Sequence, residues 1–194
     1  MFFIRRPSRH IIDGFLDRSR NLALTYEPIG IARDPSAGRN YDEAVVTIGH
    51  GAEDFERARE ALAGWRQFEM DWVELAPRGA SHQPGAIVAV LIRHLGFWSL
   101  NGARVVYNAG DRQRGNHFAV AYGTLTNHAE RGEEIFEVSL DPDSGEVTYR
   151  IRAASWPRAF IARAGYPIVR ALQAKFRRES ANAMRRAVHG SDAP

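Results

Sequence analysis

The chain contains no cysteine and a single lysine, Lys175, among its 194 residues. The absence of cysteine excludes disulfides, thiolate metal sites and cysteine nucleophiles. The basic residues are therefore almost all arginines, and 26 basic against 23 acidic side chains leave a formal charge of only +3. Such a small excess gives no reason to expect a nucleic-acid partner from bulk charge.

Long apolar runs are also missing. No segment reaches the roughly 18 consecutive apolar residues that a membrane-spanning helix needs. The first apolar residues precede the arginines, which is the reverse of a signal peptide. A hydrophobic content of 44% with 25% charged residues is ordinary for a globular chain. We therefore expect a soluble cytoplasmic protein.

Motifs for common cofactors and catalytic groups are absent as well. The chain has no His-x-His or His-Glu-x-x-His pattern for a metal ion, and no Gly-x-Ser-x-Gly elbow for a serine nucleophile. Gly49-His50-Gly51 has neither the spacing nor the lysine of a phosphate-binding loop. The sequence predicts no metal and no cofactor.

Apolar periodicity predicts helices towards the two ends of the chain, with mainly strands between them. Ser8 is a suitable N-cap for the first helix, and Gly165–Pro167 predicts a break in the last one. The expected helices are residues 8–22, 53–68 and 157–188. The expected strands are residues 44–49, 71–75, 85–95, 103–111, 116–125, 133–141 and 146–155.

The order of these elements predicts the fold class. Turn signals at Asn101-Gly102 and Pro142–Gly145 separate short strands, which is typical of an antiparallel meander. We expect an α+β fold in which a curved antiparallel sheet packs on a long C-terminal helix, like the helix-grip proteins of the START and pollen-allergen type. Such a fold encloses an apolar cavity. The predicted organisation is an N-terminal helical extension over 1–23, a single α+β domain over 24–188 and a disordered tail over 189–194.

The densest group of polar and titratable residues lies at the turn of one predicted hairpin. Two interpretations are open: a polar cluster at one mouth of the sheet, or a structural turn in which His128 caps a loop amide and Glu134 pairs with an arginine. The cluster consists of Tyr122, Gly123, Thr124, His128, Glu133 and Glu134.

The same residues carry a resemblance to a known family. Tyr122–Leu125, His128, Gly132–Glu134 and Phe136 are similar to the Tyr-Gly-Thr-Leu-x-x-His and Gly-Glu-Glu motifs of the family known as domain of unknown function 1990. The resemblance covers most of the chain, from Tyr26 to the C-terminal helix. The family has no established activity, so the resemblance implies an architecture and not a function.

Three functional hypotheses follow. The first is a non-catalytic module that holds an apolar or amphipathic small molecule between sheet and C-terminal helix, with Tyr26, Tyr122, Thr124, His128 and Glu134 as its polar contacts. The second is an enzyme that uses His128 with Glu133 or Glu134 as a general acid–base pair. The third is a peripheral membrane protein that touches anionic lipid through the arginine-rich C-terminal helix, whose alternative role is simply to pack on the sheet. The sequence gives no basis for an oligomeric state.

Overall fold

The computed structural model describes residues 1–36, 41–110, 115–157 and 162–190. Three α-helices, several strands and two short 3-10 turns alternate along these residues. The helices are α1 (Arg9–Ser19), α2 (Gly51–Ala63) and α3 (Ala162–His189). The strands are β1 (Phe2–Phe3), β2 (Tyr41–His50), β3 (Val73–Ala76), β4 (Ile87–His94), β5 (Phe97–Gly110), β6 (His117–Thr124), β7 (Glu130–Leu140) and β8 (Glu146–Pro157).

The described strands form one antiparallel sheet in the order β2-β8-β7-β6-β5-β4-β3, and β1 pairs with β5 beside this path. The meander from β3 to β8 is the one that the turn signals predict. The first long strand, β2, pairs with the last, β8, so one edge of the open sheet is formed by a contact between distant parts of the chain. The predicted curved sheet on a long C-terminal helix is confirmed.

One predicted turn is wrong. Asn101 and Gly102 lie inside β5, where they pair with Val90 and Ala89 of β4. The chain instead reverses at Leu95 and Gly96, whose φ angles of 50° and 81° suit a two-residue hairpin turn. An Asn-Gly pair is a strong turn signal only locally, and here the pairing of β4 with β5 overrides it.

Helix bounds also differ from the predictions. Helix α2 ends at Ala63 with Gly64 as its C-cap, and the rest of the predicted helix 53–68 forms a 3-10 turn at Arg66–Phe68. Pro157 ends β8 and does not begin a helix. The backbone of α3 runs through Gly165–Pro167 without the predicted break. The predicted tail falls outside the described residues from position 191 onward.

The concave face of the sheet carries the main hydrophobic core. Helices α2 and α3 cover this face, and Met184 and Val188 of α3 are buried against it. The Tyr149 hydroxyl of β8 lies 2.8 Å from the Ser180 hydroxyl of α3, which ties the long helix to the sheet. Alternation along β7 gives the same face to Phe136 and Val138.

The convex face is covered by the N-terminal part of the chain. Ile12, Phe15 and Leu16 of α1 pack on β4 and β5. The irregular segment from Leu24 to Ala32 packs on the middle of the sheet. The sequence indicates a surface-running connection there, and the structure shows a second apolar layer instead.

Gly123 permits this second layer to approach the sheet. A side-chain Cβ at position 123 would lie 2.9 Å from Leu24 Cδ2 and still closer to the Tyr26 hydroxyl. Contacts that short do not occur in real packing, so the glycine allows Tyr26 and Leu24 to approach β6 this closely. The glycine of the Tyr-Gly-Thr string therefore serves the outer layer.

Candidate functional site

A cavity of about 300 Å³ lies between the concave face of the sheet and α3. This volume is at the lower end of the range for small-molecule sites. Most of its wall is apolar, with Phe68, Trp72 and Phe176 as the large aromatic contributors. At its outer rim, Phe2 meets His94 edge to face, with 6.3 Å between ring centres. The apolar surface therefore continues from the interior of the cavity to exposed Phe2.

Glu134 supplies the main polar group of the cavity. It accepts a hydrogen bond of 2.6 Å from the Tyr122 hydroxyl, which β6 presents directly across from it. Burial raises the pKa of Glu134 to about 7, against partial opposition from the Tyr122 hydrogen bond. Burial, together with the charge of Glu134, holds the pKa of Tyr122 well above its ordinary value, so Tyr122 stays neutral and donates.

A second carboxylate, Glu130, lies four residues earlier on the same strand face. Its Oε1 accepts a hydrogen bond of 3.2 Å from Gln173 of α3. Burial raises the pKa of Glu130 as well.

Asp42 of β2 also lines the cavity, but its partners are charged arginines and not neutral donors. It accepts a hydrogen bond of 2.8 Å from Arg170 Nη2, and Arg177 Nη1 lies 3.6 Å from Asp42 Oδ2. The hydrogen bond from Arg170 lowers the pKa of Asp42 below its ordinary value. Asp42 is therefore ionised and paired, whereas Glu130 and Glu134 have neutral partners.

His128 lies in the connection between β6 and β7 and lines the cavity. Its Nδ1 accepts a hydrogen bond of 2.9 Å from the Glu130 amide, so the neutral ring carries its proton on Nε2. His128 thus caps a loop amide through Nδ1, as the structural interpretation of the sequence predicts. Its ring also lines the cavity, where the functional interpretation would use it.

The Thr124 hydroxyl is occupied by the protein itself. It accepts a hydrogen bond of 2.9 Å from the Gly132 amide and lies beside the Thr25 hydroxyl. Thr124 thus forms part of the cavity wall and fastens the ends of β6 and β7 together. Gly132 has a φ of 140°, which glycine adopts readily and other residues do not.

Tyr26 and Glu133 belong to the other side of the sheet. Glu133 is 2% exposed, and its carboxylate accepts hydrogen bonds from the Tyr26 hydroxyl at 2.7 Å and the Tyr107 hydroxyl at 2.9 Å. The amides of Gly30 and Ala32 donate to the same carboxylate. The structure therefore does not bring Tyr26 to the cavity or pair Glu133 with His128, because adjacent residues of a strand point to opposite faces.

Sequence reasoning missed several groups of the cavity. Alternation back from Phe136 could have assigned Glu130 to the same face as Glu134. No local signal identifies the contributions of β2 and α3, since both reach the cavity only through long-range packing. The missed groups are Asp42, Glu130, Gln173, Arg177, Trp72 and Phe176.

Two further features bear on what the site can hold. Over residues 1–36, 41–110, 115–157 and 162–190, no group of three histidine, aspartate or glutamate side chains is arranged to bind a metal ion. No helix within that same part of the chain combines the length and the apolarity needed to cross a bilayer.

Comparison with known proteins gives the relatives of this chain. It is 32% identical to a UPF0548 protein of Dictyostelium discoideum, over 97% of this chain and 96% of that one. It is 33% identical to a UPF0548 protein of Arabidopsis thaliana, over 89% and 83% respectively. The crystal structure of TTHA0849 from Thermus thermophilus shares the fold, with a TM-score of 0.54 at 12% identity, over 79% of this chain and all of that one (100%).

The family assignment rests on a match that covers most of the chain. Residues 25–183 match the family described as Domain of unknown function (DUF1990), and this range contains β2 to β8, α2 and most of α3. The chain therefore belongs to the DUF1990 family, together with the UPF0548 proteins.

Proposed function

We propose that this protein binds an apolar or amphipathic small molecule in the cavity between the sheet and α3. The cavity itself is the observation that carries the proposal, because close-packed interiors rarely leave a void of this size without a function. Tyr122, His128 and Glu134 are the proposed polar contacts, with Thr124 in the wall. Aromatic side chains around them would bury the apolar part of a ligand.

Filling the cavity should remove the ligand. Ala153 of β8 lines the cavity and pairs with Glu134 across the strands, so Ala153→Phe would place a ring in the space that a ligand needs. Mass spectrometry of organic extracts from freshly purified protein should show a defined compound with the wild type and at least about tenfold less with Ala153→Phe.

The matched control is Ala52→Phe, which adds the same ring on the exposed face of α2. This control should retain the compound at the wild-type level, and both variants should melt cooperatively. Equal amounts of compound in Ala153→Phe and wild-type extracts would contradict the proposal, because the compound would then bind elsewhere.

A second candidate function is acid–base catalysis in the same cavity. One observation favours it: the pKa of Glu134, about 7, suits a group that both gives and takes a proton near neutral pH. His128 is the second candidate group. Glu133 is no longer a candidate partner for His128, because its carboxylate accepts hydrogen bonds on the outer face of the sheet.

Exchange of carbon-bound hydrogen tests the catalytic candidate. The extracted compound, returned to the protein in deuterium oxide near pH 7, should gain mass with the wild type and not with Glu134→Gln. An unchanged mass after prolonged incubation with the wild type would exclude proton abstraction from carbon in this compound and leave the binding function standing.

Contact of α3 with a membrane stays a prediction. The described part of the helix places Phe176, Met184 and Val188 in or against the core. Arg185 donates to the Thr47 carbonyl, so some of the basic face is also occupied. Any lipid contact would depend on the remaining basic side chains and not on an apolar stripe.

A further inference from the structure

Among the described residues, the polar end of the cavity has more carboxylates than cationic side chains. Both guanidinium groups are directed to the same acid, since Arg170 and Arg177 each lie within ion-pair distance of Asp42. Among the described residues, no arginine, lysine or histidine nitrogen lies within ion-pair distance of Glu130 or Glu134. Their hydrogen-bond donors are the neutral groups of Gln173 and Tyr122.

Among the side chains that the structure describes, this cluster has one carboxylate more than it has guanidinium groups. Three described carboxylates face two described guanidinium groups, so these groups, when fully ionised, carry a net negative charge inside a mostly apolar wall. A buried uncompensated charge is costly, and such a group either takes up a proton or acquires a cationic partner. In the unliganded protein a proton on Glu134 restores the balance near neutral pH.

We propose that the cavity selects a small organic amine in its protonated form, with the ammonium group at Glu134, in the part of the wall that Glu130 also lines, and an apolar or aromatic body against Phe68 and Phe176. This inference rests on the proposed function and adds the chemical class of the ligand. An ammonium group would take the place of the proton and donate to the Glu134 carboxylate, and the charge of Glu130 would add attraction. The surrounding aromatic faces also favour a cation over an anion.

An anionic ligand fits less well. Arg170 and Arg177 already share Asp42, so binding an anion to them would require breaking an existing pair. The same anion would lie beside two further carboxylates in a medium of low polarity, where repulsion is strong. A neutral ligand would bind without supplying the missing positive charge.

Binding of an amine should be linked to proton release. Within the described part of the chain, the charged and titratable groups that face Glu134 come from several strands and from α3. They are Asp42 of β2, Tyr122 of β6, Glu130 of β7, Tyr149 of β8 and Arg177 of α3, with His128 in the same cavity wall. Below about pH 7 the amine must displace a proton from Glu134, so its apparent affinity should fall by up to about tenfold per pH unit.

Three probes of similar size separate charge from shape: 2-phenylethylamine, 2-phenylethanol and phenylacetate. Calorimetric titrations near pH 8 should show the amine binding about tenfold to a hundredfold more tightly than the alcohol, with phenylacetate weakest. The amine should lose affinity between about pH 7 and pH 6, whereas the alcohol should not.

Glu134→Gln should bring the affinities for amine and alcohol close together and abolish the pH dependence of amine affinity. Glu130→Gln should weaken binding of the amine and leave binding of the alcohol unchanged. The matched control, Glu60→Gln, changes an exposed glutamate of α2 and should behave as the wild type. Equal or tighter binding of the alcohol or phenylacetate would overturn the amine inference and leave the cavity-binding function intact. Absence of binding by all three probes would also overturn the amine inference. The binding function itself is tested separately, and it would fail if Ala153→Phe extracts contained as much compound as wild-type extracts.

Discussion

Replacement of Glu133 by alanine should lower the free energy of unfolding by about 4 kcal/mol, which is a large part of the roughly 5–15 kcal/mol of a typical domain. The carboxylate is buried and accepts four hydrogen bonds, from the hydroxyls of Tyr26 and Tyr107 and the amides of Gly30 and Ala32. Removing it leaves four donors without their acceptor under the outer layer. Unfolding in urea, followed by tryptophan fluorescence, measures the loss.

A variant that removes only one of the four donors gives a reference for the size of this loss. Tyr26→Phe removes one of the four hydrogen bonds and keeps the ring, so it should cost only about 1–2 kcal/mol. The cavity on the other face should be unaffected, and the ligand recovered from Tyr26→Phe should match that of the wild type. A loss below about 1 kcal/mol for Glu133→Ala would show that the outer layer is held by its apolar contacts alone.

Replacement of Glu134 by glutamine should stabilise the protein above pH 7. The pKa of Glu134 is about 7 in the folded protein and 4.5 ordinarily, so the folded state holds a proton that the unfolded chain releases between these values. The stabilising contribution of this proton is complete below pH 4.5, declines as the pH rises and is lost above 7. Glutamine is neutral throughout and avoids that loss, which amounts to about 3 kcal/mol.

The measurement is the difference in unfolding free energy between Glu134→Gln and the wild type, taken from about pH 4.5 to pH 8. The difference should start near zero and grow in favour of glutamine by up to about 1.4 kcal/mol per pH unit. Glu60→Gln, on the solvent side of α2, should show no such trend. A difference that stays constant with pH would mean that Glu134 is ionised at ordinary pH in the folded protein.

Glu133 and Glu134 have opposite roles because their side chains point to opposite faces of β7. The Glu133 carboxylate is surrounded by donors and stabilises the fold, whereas the Glu134 carboxylate has a single hydroxyl donor and lies in an apolar cavity. A stabilising Glu134→Gln substitution that weakens ligand binding would fit the common pattern in which functional groups are retained at a cost in stability.

The sequence alone determined the class of fold and the position of the polar cluster. Alternating apolar residues, turn residues at Pro142–Gly145 and the amphipathic pattern of the last helix are local signals, and they predicted the meander and the helix that packs on it. Helix ends and the Asn101-Gly102 turn were predicted wrongly, because capping and strand pairing depend on contacts outside the local window.

The tertiary structure decided which residues of the cluster meet. Strand alternation separates Glu133 from Glu134, but only the packing of the N-terminal segment explains why Tyr26 and Gly123 belong to the outer layer. Asp42 and Arg177 lie far apart in the chain, and the pairing of β2 with β8 under α3 brings them to the cavity. The excess of carboxylates among the described residues of the cavity, on which the proposed ligand charge rests, comes from side chains of distant elements and therefore has no local signature in the sequence.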